Sequence, residues 1–335
     1  MNAVTPFPRL AEDLRARGAI RAEDVLALRR QVFPDGVVSA DEAEGIFRLD
    51  HACAKKDADW TRFYVDALTD YFVWQSEPRG YVSDAQADML IKELTRDGRI
   101  AAESELELLI NIIHWCTKCP AALGELALRA VEESVLTPAT AAYGSNRAPA
   151  VISAEDVELI RRVIYASGSP GGFTVTREEA ELLIMLDNAT HGEENTPAWP
   201  DLFAKAVANA VMFPRGAPVV PTAEEAFRRE KWLAEREGVG ALLRKSGKAM
   251  AKGNIPFDAI FGSREAREAR EREERQVAEA LSREAIDAEE ARWLLKHFGG
   301  AKPMSEGAKR LMAFIKTNSP SIDPAVMPLF AKAGL

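Results

Sequence analysis

Apolar residues along the chain recur mostly at intervals of three and four, with charged positions between them. In AEDVLALRRQVF, Val25, Leu28, Val32 and Phe33 fall at helical spacing, and in DAQADMLIKEL so do Ala87, Leu90, Ile91 and Leu94. Alternating patterns of the kind a strand shows are short and few. Serine or threonine precedes several acid-rich starts: Ser39 before Asp41-Glu42, Ser153 before Glu155-Asp156, and Thr176 before Glu178-Glu179. A hydroxyl there caps the open N–H groups of a first turn, and the acids suit the helix dipole. The predicted class is all-α, with several helices in each half.

The pattern also returns at long range. AEDVLALRRQV (22–32) matches AEDVELIRRVI (154–164), and VVSADEAEGIFRLD (37–50) parallels TVTREEAELLIMLD (174–187). Asp50 then answers Asp187, Trp60 answers Trp199, Tyr64 answers Phe203 and Ala67 answers Ala206. A second pairing sets VSDAQADMLIKEL (82–94) against IDAEEARWLLKHF (286–298). Tandem duplicated helical modules are therefore expected. The first helical domain is 1–136 and the linker 137–151, punctuated by Pro138 and Pro149. The second domain is 152–213 plus 285–335, interrupted by a helical insertion at 214–284.

Composition narrows the function classes. A length of 335 residues suits one large or two ordinary domains, and 47% hydrophobic residues supply an ample core. The net charge of −9 opposes nonspecific binding to nucleic acid. No apolar run reaches the roughly 20 residues of a membrane span, and the amino terminus does not read as a secretory signal. Three cysteines, an odd number, do not make a disulfide framework, and a reducing cytoplasmic location is expected.

Two stretches carry turn chemistry of interest. FPDGVVSADEAEGIF (33–47) reads like the second half of a calcium loop, with Asp35-Gly36 and then Glu42. Phe33 occupies an earlier ligand place there and supplies no oxygen. Around Asp97-Gly98 the three leading ligand places hold Glu93, Thr95 and Asp97, but Ser104 stands where the bidentate glutamate belongs. A tight Asp-Gly turn followed by a capped helix accounts for both stretches. Asp35-Gly36-Val37-Val38-Ser39-Ala40-Asp41-Glu42 and Asp97-Gly98-Arg99-Ile100-Ala101-Ala102-Glu103 resemble the TerB-like family of helical domains associated with tellurite resistance and stress. The resemblance implies a compact helical module with an acidic surface that binds metal or partners. The second half carries Gly172-Phe173 in place of the first Asp-Gly.

Other candidates are thiols, paired residues and a basic segment. Trp115-Cys116-Thr117-Lys118-Cys119 has the spacing of a redox dithiol, but it follows a helical pattern rather than a strand. With His51 and Cys53, Cys116 and Cys119 would complete a zinc set of one histidine and three cysteines. Asp50 with Trp60, and Asp187 with Trp199, read either as walls of a binding recess or as a capping carboxylate and a core-filling indole. The insertion 214–284 carries 15 Lys+Arg against 13 Asp+Glu, a net of +2 in an acidic chain. Within it, Lys248, Lys252, Phe257, Ile260 and Phe261 form a candidate docking segment for a protein partner or for the other copy of a homodimer. Neither a phosphate-binding glycine loop nor a nucleophile elbow occurs, so a non-catalytic scaffold is expected, without cofactor. Divalent metal at Asp35, Asp97, Cys53, Cys116 or Cys119 is the alternative.

Overall fold

The computed structural model describes residues 7–32, 37–96, 98–142, 148–166, 174–212 and 285–335. Among them are thirteen α-helices. The first half holds α1 (Phe7–Arg17), α2 (Ala22–Val32), α3 (Ala40–Ala52), α4 (Ala58–Thr69), α5 (Asp84–Leu94), α6 (Glu103–Trp115) and α7 (Ala121–Leu136). The second holds α8 (Ala154–Ile164), α9 (Arg177–Ala189), α10 (Trp199–Met212), α11 (Ala288–Phe298), α12 (Glu306–Asn318) and α13 (Met327–Ala333). A π-helical turn, Asp70–Trp74, continues α4, and strands β1 (Ala19–Ile20) and β2 (Lys55–Lys56) pair in parallel. The chain is all-α, as its periodicity predicts. The docking candidates Lys248, Lys252, Phe257, Ile260 and Phe261, the rest of 214–284, Asp35 and Asp97 lie outside the described residues.

The helices start where the sequence places their caps. Ser39, Ser153 and Thr176 each accept the backbone N–H three residues on, while Glu42, Asp156 and Glu179 bond back to the cap. Ser83 with Gln86 and Asp287 with Glu290 do the same. Each cap contributes about 1 kcal/mol. Val25, Leu28, Ala87, Leu90 and Leu94 are buried, and Ile91 is half-buried.

Two helices with large buried faces form the centres of the two halves; α4 keeps one charged stripe, Asp59, Arg62 and Asp66, in solvent, and α10 is apolar nearly all round. In α4, Trp60, Phe63, Tyr64, Val65, Ala67 and Leu68 are buried; α10 buries Trp199 and every residue from Leu202 to Met212 except Lys205. A helix like α10 needs neighbours on nearly every side. The α4 helix packs on α2, α3 and α6, while α10 packs on α8, α9 and α12. The halves meet through α7 on α8 and α9, and through α6 on α8. There Ser134 Oγ donates to Asp156 Oδ1 at 3.2 Å, and Arg162 reaches both oxygens of Glu107 at 3.4 and 3.3 Å. The linker begins as a 3-10 turn, Pro138–Thr140, and is tied back where the Ala150 N–H donates to Val135 O at 2.8 Å.

One backbone contact occurs at three places in the same setting. A residue shortly before a helix offers its carbonyl to an N–H just ahead of a later helix. Ile20 accepts from Asp57 at 2.9 Å, Ile152 from Thr196 at 2.8 Å, and Ile286 from Asp323 at 2.9 Å. At a fourth place the later residue is Pro120, which has no N–H. There Val82 instead donates its own N–H to Lys118 O at 3.1 Å, as Ile286 donates to Ser321 O at 2.8 Å.

Candidate functional site

Asp50 ends the buried face of α3, and its carboxylate gathers donors from three directions. Trp60 Nε1, on the first turn of α4, lies 2.6 Å from Oδ1. Lys56 Nζ lies 2.7 Å from the same oxygen and 3.0 Å from the Asp50 carbonyl. Ser104 Oγ, on the second residue of α6, stands 3.4 and 3.3 Å from the two oxygens. An indole N–H buried without an acceptor costs roughly 1–3 kcal/mol, so the carboxylate lets the ring enter the core. Next to it, His51 Nε2 lies 3.1 Å from Glu105 Oε1, and Glu105 Oε2 accepts the N–H groups of Ala101 and Ala102 at 3.0 Å. Tyr64 is wholly buried beside this cluster, and its hydroxyl has no hydrogen-bond partner among the described residues. Burial, with Asp50, Glu105 and Glu93 behind it, pushes its ionisation far up.

Asp187 on α9 does the same work with fewer groups. Trp199 Nε1 lies 3.0 Å from Oδ1, and the Ser305 hydroxyl, capping α12, bonds Oδ2. Where Lys56 stands in the first half, the second has Asn195, whose amide serves Ile152 N, Thr190 O and Thr190 Oγ1. Burial pushes the Asp187 carboxyl up, opposed by the bonds from Ser305 and Trp199 and by His191. Gly307 stands close by: a Cβ there would come within 2.7 Å of Phe203 Cδ1 and 3.4 Å of Asp187 Oδ1.

The four recess candidates are thus brought together as two pairs, and all four are buried rather than open to solvent. Neither carboxylate caps the next turn: α4 is capped by Asp57, and each aspartate takes the indole N–H instead. Ser104, Ser305, Lys56 and Glu105 belong to these clusters, and the sequence offered only a hydroxyl near the start of α6 and of α12 as their signal.

The zinc set is not assembled. His51 is held by Glu105 at the amino end of α6, whereas Cys116 ends that helix roughly 16 Å further along. The Cys53 thiol donates to Leu14 O at 3.6 Å. Of the three thiols, those of Cys116 and Cys119 interact, and Cys116 Sγ donates to Ile113 O at 3.6 Å. Among the described residues, no group of three or more histidines, cysteines and carboxylates is placed to hold a metal.

A groove of about 210 Å³ lies at the joint of the halves. Helix α6 contributes Glu103, Leu106 and Glu107, and α8 with its first turn contributes Glu155, Glu158, Leu159 and Arg162. Four carboxylates and one guanidinium surround two leucines there. Among the described residues no helix is long and apolar enough to cross a membrane. Comparison with protein-family models, with curated proteins and with solved structures gave no match.

Proposed function

We propose that the chain is a cytoplasmic, non-catalytic interaction scaffold built from tandemly duplicated, TerB-like helical modules. The observation that carries this reading is the acid-lined groove between α6 and α8, to which both halves contribute. An apolar base between carboxylates suits a basic amphipathic segment of a protein partner, since such surfaces combine buried aliphatic contact with charge complementarity. The Asp50–Trp60 and Asp187–Trp199 pairs, set in helices of the same order, support the duplication. A docking role for the 238–262 segment, with Phe257, Ile260 and Phe261, belongs to the same reading.

The test is co-purification from the native host, compared between wild type, the charge-reversed Glu155→Lys/Glu158→Lys variant, and a chain lacking 238–262. A bound protein lost on charge reversal is the expected result. Identical partners and self-association in all three would remove the groove and the segment from the proposal. Stoichiometric zinc or calcium in protein purified without chelator would replace the scaffold reading with a metal-binding one.

A further inference from the structure

Three cysteines serve no role in the scaffold reading, and two of them touch. Cys116 ends α6 and Cys119 stands one residue before Pro120, the cap of α7. Neither is in a disulfide, their side chains interact, and the Cys116 thiol donates to Ile113 O at 3.6 Å. The turn that holds them is fixed: Thr117 N–H donates to Gly80 O at 2.7 Å, and Val82 N–H donates to Lys118 O at 3.1 Å.

We propose that Cys116 and Cys119 form a reversible dithiol–disulfide site, oxidised by small hydroperoxides. Their surroundings assign the order of events. Cys116 is wholly buried, while Cys119 keeps 8% of its surface exposed. Contact with Cys119, and then burial, push the Cys116 thiol far up; Cys119, the less buried of the two, is the sulfur a small hydroperoxide reaches first.

Cys119 thiolate takes the terminal oxygen of the hydroperoxide, giving a sulfenic acid, and the O–O bond breaks to release alkoxide or hydroxide. Cys116 sulfur then attacks the sulfenic sulfur, losing its proton as hydroxide leaves. The sum is two thiols and one hydroperoxide giving one disulfide, one alcohol or water, and one water. The two sulfurs give up two electrons and the peroxide bond accepts them. Because the pair spans the end of α6 and the start of α7, the disulfide would lock a turn that already rests on Gly80 and Val82. Cys53, held on Leu14, takes no part.

The chain offers a direct readout, because Lys118 lies between the two cysteines. Trypsin yields 100–118 and 119–129 as separate peptides from the reduced protein, and as one linked species if the disulfide has formed. The full chain is treated with hydrogen peroxide, its thiols are counted after denaturation, and its tryptic peptides are weighed. Three free thiols should fall to one, with the linked pair appearing, and dithiothreitol should restore all three. Cys53→Ser should still lose two thiols, and Cys116→Ser should stop at a sulfenic acid on Cys119 that a dimedone probe captures. Persistence of every thiol, a linkage through Cys53, or oxygen uptake without the linked peptide would each overturn the proposal.

Discussion

The two aspartate–tryptophan clusters solve one problem with different charges. In both, a buried indole N–H near the start of a central helix finds a carboxylate at the end of the preceding helix, and a serine from a third helix supplies a further donor. The first cluster adds a cation, Lys56, and a hydroxyl, Tyr64; the second puts Asn195 and Phe203 in those places. An ion pair protects Asp50 from the cost of burying charge, whereas Asp187 has only neutral donors within hydrogen-bonding reach. The frame tolerates either, because the hydrogen bond to the indole is the shared requirement.

Removing the carboxylates should separate the clusters most. Asp50→Ala leaves the buried Trp60 indole without its acceptor and releases Lys56, whose side chain is 24% exposed, so about 2–4 kcal/mol should be lost. Asp187→Ala strips only neutral donors and should cost about 1–3 kcal/mol. Chemical unfolding of both variants measures the difference. Equal losses would mean that Lys56 contributes nothing.

A second contrast is set by pH. Glu179, on the first turn of α9, is buried with one oxygen bonded to Thr176 N at 2.7 Å and the other without a partner among the described residues. Burial pushes it up to about 7, against the cap bonds, with Glu178 adding to the rise. Its counterpart Glu42 is only half-buried. A carboxyl whose folded value lies above its unfolded one binds its proton more tightly in the folded state. Its stabilising effect is therefore full below about pH 4.5 and is lost as pH rises through about 7. The loss amounts to at most about 3 kcal/mol. Glu179→Gln should flatten stability between those pH values, and an unchanged slope in urea titrations across the range would contradict it.

The smallest effect should be a gain. Tyr64→Phe removes a buried hydroxyl that bonds nothing and copies the Phe203 of the second half, so stability should rise by up to about 1–2 kcal/mol. A loss in the thermal midpoint would show that this oxygen has a partner in solution.

What the sequence made legible follows from distance along the chain. Helix starts at Ser39, Ser153 and Thr176 are local events, written within four residues, and they appear where expected. The aspartates and tryptophans could be matched by position, but not recognised as bonded to each other, since spacing says nothing of which way a side chain turns. The serines were out of reach for a different reason. Ser104 comes from 54 residues beyond Asp50 and Ser305 from 118 beyond Asp187, one inside its helix and the other capping it. The Cys-x-x-Cys spacing keeps Cys116 and Cys119 local in the chain without saying that their side chains interact, while the proposed union with His51 failed on the length of α6.

The carbonyl contacts at Ile20, Ile152 and Ile286 carry a consequence for how this chain can grow. Each one closes within its own stretch, 20 to 57, 152 to 196 and 286 to 323, and residues 213–284 fall outside all three. Foreign sequence spliced between such closed stretches interrupts none of the three fastenings, and lengthening a connection adds only slowly to the entropy of closure. The seams between them are the places where an ancestor could acquire new cargo, and where an engineer could graft a reporter domain.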